Sequence, residues 1–135
     1  MRRIDVFFYG LFMDAELLRA KGAEPENPRR ASLPGFALRI GKRATLVPDP
    51  AKRAYGVVIA LSHAEIEVLY SEESVRVYRP EAVLCELEDG ARVPALCFNL
   101  VEAPSESERN PEYAVKLRDL AQRLLLPQDY IAGIV

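Results

Sequence analysis

The chain opens on a nearly unbroken apolar run in which Ile4, Val6, Phe7, Phe8 and Tyr9 are interrupted only by Asp5 before the pattern breaks at Gly10. Such a run predicts a buried strand rather than a half-exposed one. Asp14 is then a suitable N-cap, Glu16 falls in a first turn where the helix dipole favours negative charge, and Leu17 and Leu18 begin an apolar stripe. These residues predict a helix that fades near Gly22. Ala23 to Arg30, with two prolines and several charges, predicts a surface loop. Alternation resumes after Gly35, so a strand is expected over Phe36 to Ile40 with Pro34 at its entrance. Ala44 to Val47 reads as a short strand ended by Pro48-Asp49-Pro50. Tyr55 to Leu61, β-branched and nearly free of polar residues, predicts a strand at the sheet centre.

Ser62 with Glu65 three residues on fits a capping box, and Ile66, Leu69 and Tyr70 carry helical spacing to about Ser71. Ala82 to Leu87 and Arg92 to Leu100 read as a hairpin. With Asp89-Gly90 as its two turn residues, Glu88 opposes Ala91, Cys85 opposes Pro94, and Cys97 opposes Ala82. Val101 to Pro111 is polar and predicts a mobile excursion. From Glu112, the spacing of Tyr113, Leu117, Leu120 and Leu124 predicts an amphipathic helix covering the sheet, ended by Leu126-Pro127-Gln128-Asp129. Tyr130 to Val135 is left as a short apolar tail.

Composition narrows the class. A length of 135 residues corresponds to one domain, 1–135, able to bury about two thirds of its unfolded surface. A net charge of −2 offers no cationic excess for a nucleic acid. No apolar run approaches the ~20 residues of a membrane helix, and Met1-Arg2-Arg3 leads into a strand-like segment without a signal-peptide cleavage site. The expected location is therefore the cytoplasm, where Cys85 and Cys97, which do not meet in the hairpin register, would be free buried thiols.

The first strand turns on a glycine into a helix, which leaves several backbone N–H groups pointing into one small volume that suits an anion or a carbonyl oxygen. The plainer reading is that glycine merely permits the turn. His63, the one histidine, lies in a helix first turn and is expected to be solvated. Glu72 and Glu73 follow a helix C-terminus, where the dipole disfavours negative charge unless something else requires it. One histidine and two separated cysteines cannot supply a zinc ligand set, and no HExxH, CxxC, GxSxG, P-loop or GxGxxG spacing occurs. Carboxylate chemistry with tyrosine partners remains.

Phe8-Tyr9-Gly10-Leu11-Phe12-Met13 resembles the YGSNL or YGTL ligand loop of γ-glutamylcyclotransferase-like proteins, at the same place in the chain. Tyr55 to Leu61 resembles that family's G-V-x-Y/F-x-L strand, Leu69 to Glu73 its L-D-x-x-E, and Tyr78 its following tyrosine. Asn110-Pro111-Glu112-Tyr113 and Leu126 to Ile131 are similar to its P-x-x-Y and G-L-P-x-x-Y-I elements. The chain departs from the pattern where Leu11 and Phe12 replace polar residues, Tyr70 replaces the Asp, and Ser74 replaces a Gly.

The resemblance implies an α+β fold, a small mixed β-barrel with flanking helices. It implies a transferase or lyase reaction in which the substrate's α-amine attacks its own γ-carbonyl and closes to 5-oxoproline. Strict register puts Glu73 on the acid/base, and a one-residue slip chooses Glu72. Tyr9, Gly10, Leu11, Phe12, Met13, Tyr78 and Tyr113 would bind the substrate. No cofactor and no metal are implied, the partner being a small γ-glutamyl compound, with no nucleic acid or membrane, handled by a monomer or weak homodimer. A non-catalytic binding domain on the same fold and a plain protein-interaction domain are the competing readings.

Overall fold

The apolar run forms β1 (Arg3–Phe8), whose Val6, Phe7 and Phe8 are fully enclosed. The computed structural model describes residues 2–135, so Met1, at the head of the segment considered as a leader, lies outside it. β1 pairs antiparallel with the end of β3 (Ala44–Ser62), from Arg3 opposite Ser62 to Phe8 opposite Val57, and runs parallel to β5 (Arg92–Asn99) at Val6 and Leu96. With β2 (Glu26–Ile40) and β4 (Arg79–Leu87) the strands close into a barrel in the order β1-β3-β2-β4-β5. The expected mixed barrel is thus present. Closure also removes the exposed sheet edges that would otherwise invite pairing with another chain.

Helices flank the barrel. In α1 (Ala15–Ala20), Asp14 Oδ1 accepts from Glu16 N as the sequence predicts. In α2 (His63–Leu69), Ser62 and Glu65 form the full capping box, and the helix stops at Leu69 with Tyr70 as its cap, short of Ser71. Glu65 does more than cap: it also accepts from Arg3 Nη1 at 2.8 Å and from Glu24 N at 2.6 Å. Pro111 opens α3 (Pro111–Arg123), capped by the Asn110 side chain, and the face carrying Ala114, Leu117, Leu120 and Ala121 is buried. The apolar tail is itself a short helix, α4 (Gln128–Ala132), with Ile131 in the core. Among the described residues no helix is long and apolar enough to cross a membrane.

Three expectations are corrected. The segment Ala23 to Arg30 is not all loop, because β2 starts at Glu26: Arg29 and Arg30 pair with Val58 and Val57, and Arg29 Nη2 bonds Asp5 Oδ1 at 2.6 Å. Pro48-Asp49-Pro50 does not end its strand, since β3 continues to Ser62. The break survives only in the ladder, which jumps from Phe36 opposite Pro48 to Pro34 opposite Arg53, leaving residues 49–52 unpaired around Pro50, which has no N–H to donate. The β4–β5 register is shifted by one: Cys85 opposes Val93 and Cys97 opposes Glu81. Leu87 N bonds Ala91 O and Gly90 N bonds Leu87 O, with Gly90 at φ 88°, so the loop has three residues rather than two. Both cysteines are buried and free in either register.

Residues 101–110 are irregular, as expected, but are fastened to the barrel. Glu108 Oε2 accepts from Lys42 N at 2.7 Å, and Pro104 O accepts from Arg39 Nη1 at 3.3 Å.

Candidate active site

Beyond β1 the chain passes through Tyr9 and Gly10 into a single 3-10 turn, Leu11–Met13, before Asp14 caps α1. Gly10 has φ −111°, an ordinary extended conformation, so the turn does not need glycine for its backbone. The reason is proximity: a Cβ there would stand 2.6 Å from Tyr113 Oη, which accepts from Leu11 N at 3.3 Å. Met13 N donates to Gly10 O within the turn, so Phe12 N is the turn amide left without an intrahelical or side-chain acceptor.

This loop forms one wall of a cavity of about 400 Å3. Aromatic rings build the rest. Tyr70 stacks on Phe98 with centroids 3.9 Å apart, and meets Phe12 edge to face at 5.8 Å and Tyr78 at 6.2 Å. Tyr9 Oη donates to Phe98 O at 2.6 Å, and Tyr78 Oη donates to Ala44 O. Burial is the first cause that raises the pKa of Tyr9, Tyr70, Tyr78 and Tyr113 above the ordinary phenol value. These hydroxyls therefore stay protonated and act as neutral hydrogen-bonding groups at physiological pH.

Charge enters at the mouth. Glu72 is the one carboxylate lining the cavity, and its Oε1 bonds Lys21 Nζ at 2.7 Å. The acidic side chain past a helix C-terminus thus has a cation to meet, brought from the far end of α1. Lys42 and Arg43, in the β2–β3 turn, line the same cavity, and Arg43 Nε donates to Ser74 O at 2.7 Å. Among the described residues neither cation is paired with a carboxylate through its side chain.

Of the residues singled out from the sequence, Tyr9, Gly10, Leu11, Phe12, Tyr78, Tyr113 and Glu72 line one cavity. Met13 is 2 % exposed and belongs to the core instead. Glu73 is exposed and is not among the lining residues. His63 is solvated, its side chain 78 % exposed. Lys21, Lys42, Arg43 and Phe98 carried no signal, being scattered over turns and one strand without a shared period. Among the described residues no group of three or more His, Cys, Asp or Glu side chains is arranged to hold a metal ion.

Solved structures share this architecture. The human protein loc79017, described as uncharacterized, superposes with a TM-score of 0.83 at 19% identity, covering 100% of this chain and 89% of that one. A protein described as gamma-glutamyl cyclotransferase gives 0.82 at 20%, over 99% and 89% of the two chains. YkqA from Bacillus subtilis gives 0.79 at 24%, and there the present chain spans 98% of its own length but 52% of that protein. These identities establish a common fold. No curated protein sequence matches the chain. Residues 6–118, which hold the Tyr9–Phe12 loop, all of the barrel but the first three residues of β1, and most of α3, match the family described as gamma-glutamyl cyclotransferase, AIG2-like, and the protein belongs to that family.

Proposed function

We propose that the protein is a cofactor-free γ-glutamylcyclotransferase-like enzyme that releases 5-oxoproline from a γ-glutamyl amine or peptide, working in the cytoplasm as a monomer or weak homodimer. The observation that carries this reading is a single carboxylate, Glu72, at the mouth of a 400 Å3 aromatic cavity walled by the Tyr9–Phe12 loop. Ring closure moves protons and needs little else. The α-ammonium gives a proton to the carboxylate, its nitrogen attacks the γ-carbonyl carbon, and the carboxyl group returns the proton to the leaving nitrogen as the old C–N bond breaks; the carboxylate then carries a second proton from the ring nitrogen to the released amine. Of the three ammonium protons, one stays on the lactam nitrogen and two end on the released ammonium. The carrier is therefore regenerated.

In this reading Lys21 holds the Glu72 carboxylate in the mouth and keeps it available as a base. The Phe12 amide and the Tyr113 hydroxyl, which accepts from Leu11 N and keeps its own proton to donate, would bind the carbonyl oxygen and the substrate carboxylate, donors in a partly dry site. Tyr9, Gly10, Leu11, Phe12, Tyr78 and Tyr113 are the substrate-binding residues. Met13 acts only through the turn it anchors. Glu73 was the strict-register choice for the acid/base; its side chain is outside the cavity lining, which favours Glu72.

A second reading, a binding domain that does not catalyse, is favoured by the contact of Phe12 with Tyr70, which fills with rings the positions where the family pattern carries polar side chains. Assay of 5-oxoproline release from γ-glutamyl amines and dipeptides decides between them. Glu72→Gln should lower kcat by at least ~100-fold, as loss of general acid–base catalysis does, while Glu73→Gln costs little. The reverse pattern passes the role to Glu73. Near-normal turnover in both variants ends the acid–base assignment, and no release from any substrate, together with a ligand-induced rise in melting temperature, supports the binding domain. Turnover should also survive prolonged treatment with a strong chelator.

A further inference from the structure

Glu72 lies in a stretch that no regular element holds. α2 ends at Leu69 and β4 begins at Arg79, and within residues 70–78 the Glu72 carbonyl accepts from Val75 N at 3.0 Å and from Arg76 N at 2.9 Å. These bonds close a turn with Glu73 and Ser74 at its centre. Glu72, Glu73 and Ser74 are all exposed, so the turn has little packing of its own to resist opening. Lys21 meets the Glu72 side chain, but an ion pair open to water contributes little order by itself. A carboxylate that must exchange protons with a bound substrate needs its backbone held as well, because proton transfer requires hydrogen-bond reach.

The β2–β3 turn supplies that hold. Arg43 Nε donates to Ser74 O at 2.7 Å, and Tyr78 Oη donates to Ala44 O, so two consecutive residues grip the stretch at its middle and at its end. The grip has a firm base: Gly41 N donates to Arg43 O at 3.1 Å, and Glu108 Oε2 accepts from Lys42 N at 2.7 Å. Resting on the cyclotransferase reading, we propose that Arg43 is a positioning residue: through Ser74 it fixes the turn that presents Glu72, and it serves the reaction only through that carboxylate. The working group is the Nε–H rather than the positive charge. Ser74 and Glu72 belong to one hydrogen-bonded turn, so fixing the Ser74 carbonyl fixes the Glu72 backbone, while Lys21 sets the direction of the side chain.

Two substitutions separate the bond from the charge. In Arg43→Gln the amide nitrogen falls at the same position along the side chain as Nε and can still donate to Ser74 O, whereas Arg43→Met places a methyl group there. With a γ-glutamyl substrate that the parent protein turns over, Arg43→Met should lower kcat by about tenfold with KM within about twofold, a fraction of the ~100-fold that a 1 Å misplacement can cost. Arg43→Gln should stay within about threefold of the parent. In a Glu72→Gln background, Arg43→Met should cost less than about twofold more, because residues that act as a unit are not additive. Equal losses in Met and Gln overturn the proposal, since the charge then matters. So do an unchanged kcat in Arg43→Met, a full further tenfold loss in the Glu72→Gln background, and near-normal turnover in Glu72→Gln alone; in each case the cyclotransferase reading stands. If the parent releases no 5-oxoproline from any substrate, that reading fails and takes the kinetic role with it. The hold on the turn is then decided by hydrogen exchange at the Val75 and Arg76 amides: faster exchange in Met but not in Gln supports it, and equal exchange overturns it.

Discussion

At the residue scale the site turns on what stands beside Gly10. The glycine is required by the Tyr113 hydroxyl rather than by an unusual dihedral, since its φ is −111°. This has a clean consequence. Gly10→Ala should destabilise the protein by about 1–3 kcal/mol, the usual range for overpacking. In a Tyr113→Phe background the nearest ring atom would be Cζ, 3.9 Å from the new Cβ, so the same substitution should cost less than about 0.5 kcal/mol. Urea denaturation of the four proteins measures the difference, and equal costs in both backgrounds would remove the close-approach explanation. The contact between Phe12 and Tyr70 is another matter of residues: two departures from the family pattern, 58 positions apart, meet each other edge to face. Neither looks meaningful alone. Glu72 and Glu73 could not be ranked from spacing because helical periodicity ends with α2 at Leu69, and beyond it neighbouring side chains diverge without a fixed rule.

At the scale of elements, local chemistry was legible wherever it acted over a few residues. Both caps, Asp14 and Ser62 with Glu65, are where the pattern put them, because a cap depends on side chains within three positions of the helix start. The hairpin register was not, since Asp89-Gly90 satisfies a two-residue and a three-residue loop equally, and the choice depends on which pairing buries the inward face of β4. The end of α3 carries a stability prediction. Leu126 N bonds Ala121 O and Leu125 N bonds Gln122 O, a Schellman ending in which Leu125 takes the left-handed position at φ 60° although it is 71 % exposed. Leu125→Gly should therefore stabilise the fold by about 1 kcal/mol, read as a higher urea midpoint with unchanged slope. A lower midpoint would mean that the leucine side chain contributes packing that outweighs the strain.

At the scale of the whole molecule, the buried phenols and thiols set the alkaline limit of stability. Burial pushes Cys85, Cys97 and Tyr130 up to about 12, and raises Tyr9, Tyr70, Tyr78 and Tyr113 above their ordinary value of 10.0. Each holds its proton more tightly folded than unfolded. Below the unfolded values, 9.0 for the thiols and 10.0 for the phenols, both states are protonated and stability is full. Above them the unfolded chain ionises first, so stability falls as pH rises toward the folded values. Glu65 acts oppositely: burial raises its pKa, but donors from Ser62 and Glu24 together with Arg3 lower it further, so its contribution is present above 4.5 and is lost as pH falls. The urea midpoint should accordingly be flat from roughly pH 5 to 9 and drop steeply above that range. A midpoint unchanged at pH 11 would contradict this account. Replacing both cysteines with alanine should move the start of the drop toward 10, because only phenols then remain to ionise.

What the sequence by itself determined was the set of segments whose apolar pattern and end chemistry are local: β1, the end of β3, the starts of α1 and α2, and the amphipathic face of α3. With the family resemblance it also pointed to the barrel and to a ligand loop at Tyr9–Phe12. Only the tertiary structure decided which side chains share a cavity. The lining is gathered from Tyr9–Phe12, Lys21, Lys42–Ala44, Tyr70–Tyr78, Phe98 and Tyr113, segments that no local period connects. They meet because barrel closure seats β1 between β3 and β5 and brings the strand ends, the β2–β3 turn and α3 around one opening. Those long-range pairings are chosen by total burial rather than by any short run of residues, which is why Lys42, Arg43 and the Lys21–Glu72 pair come together around one cavity only in the folded chain.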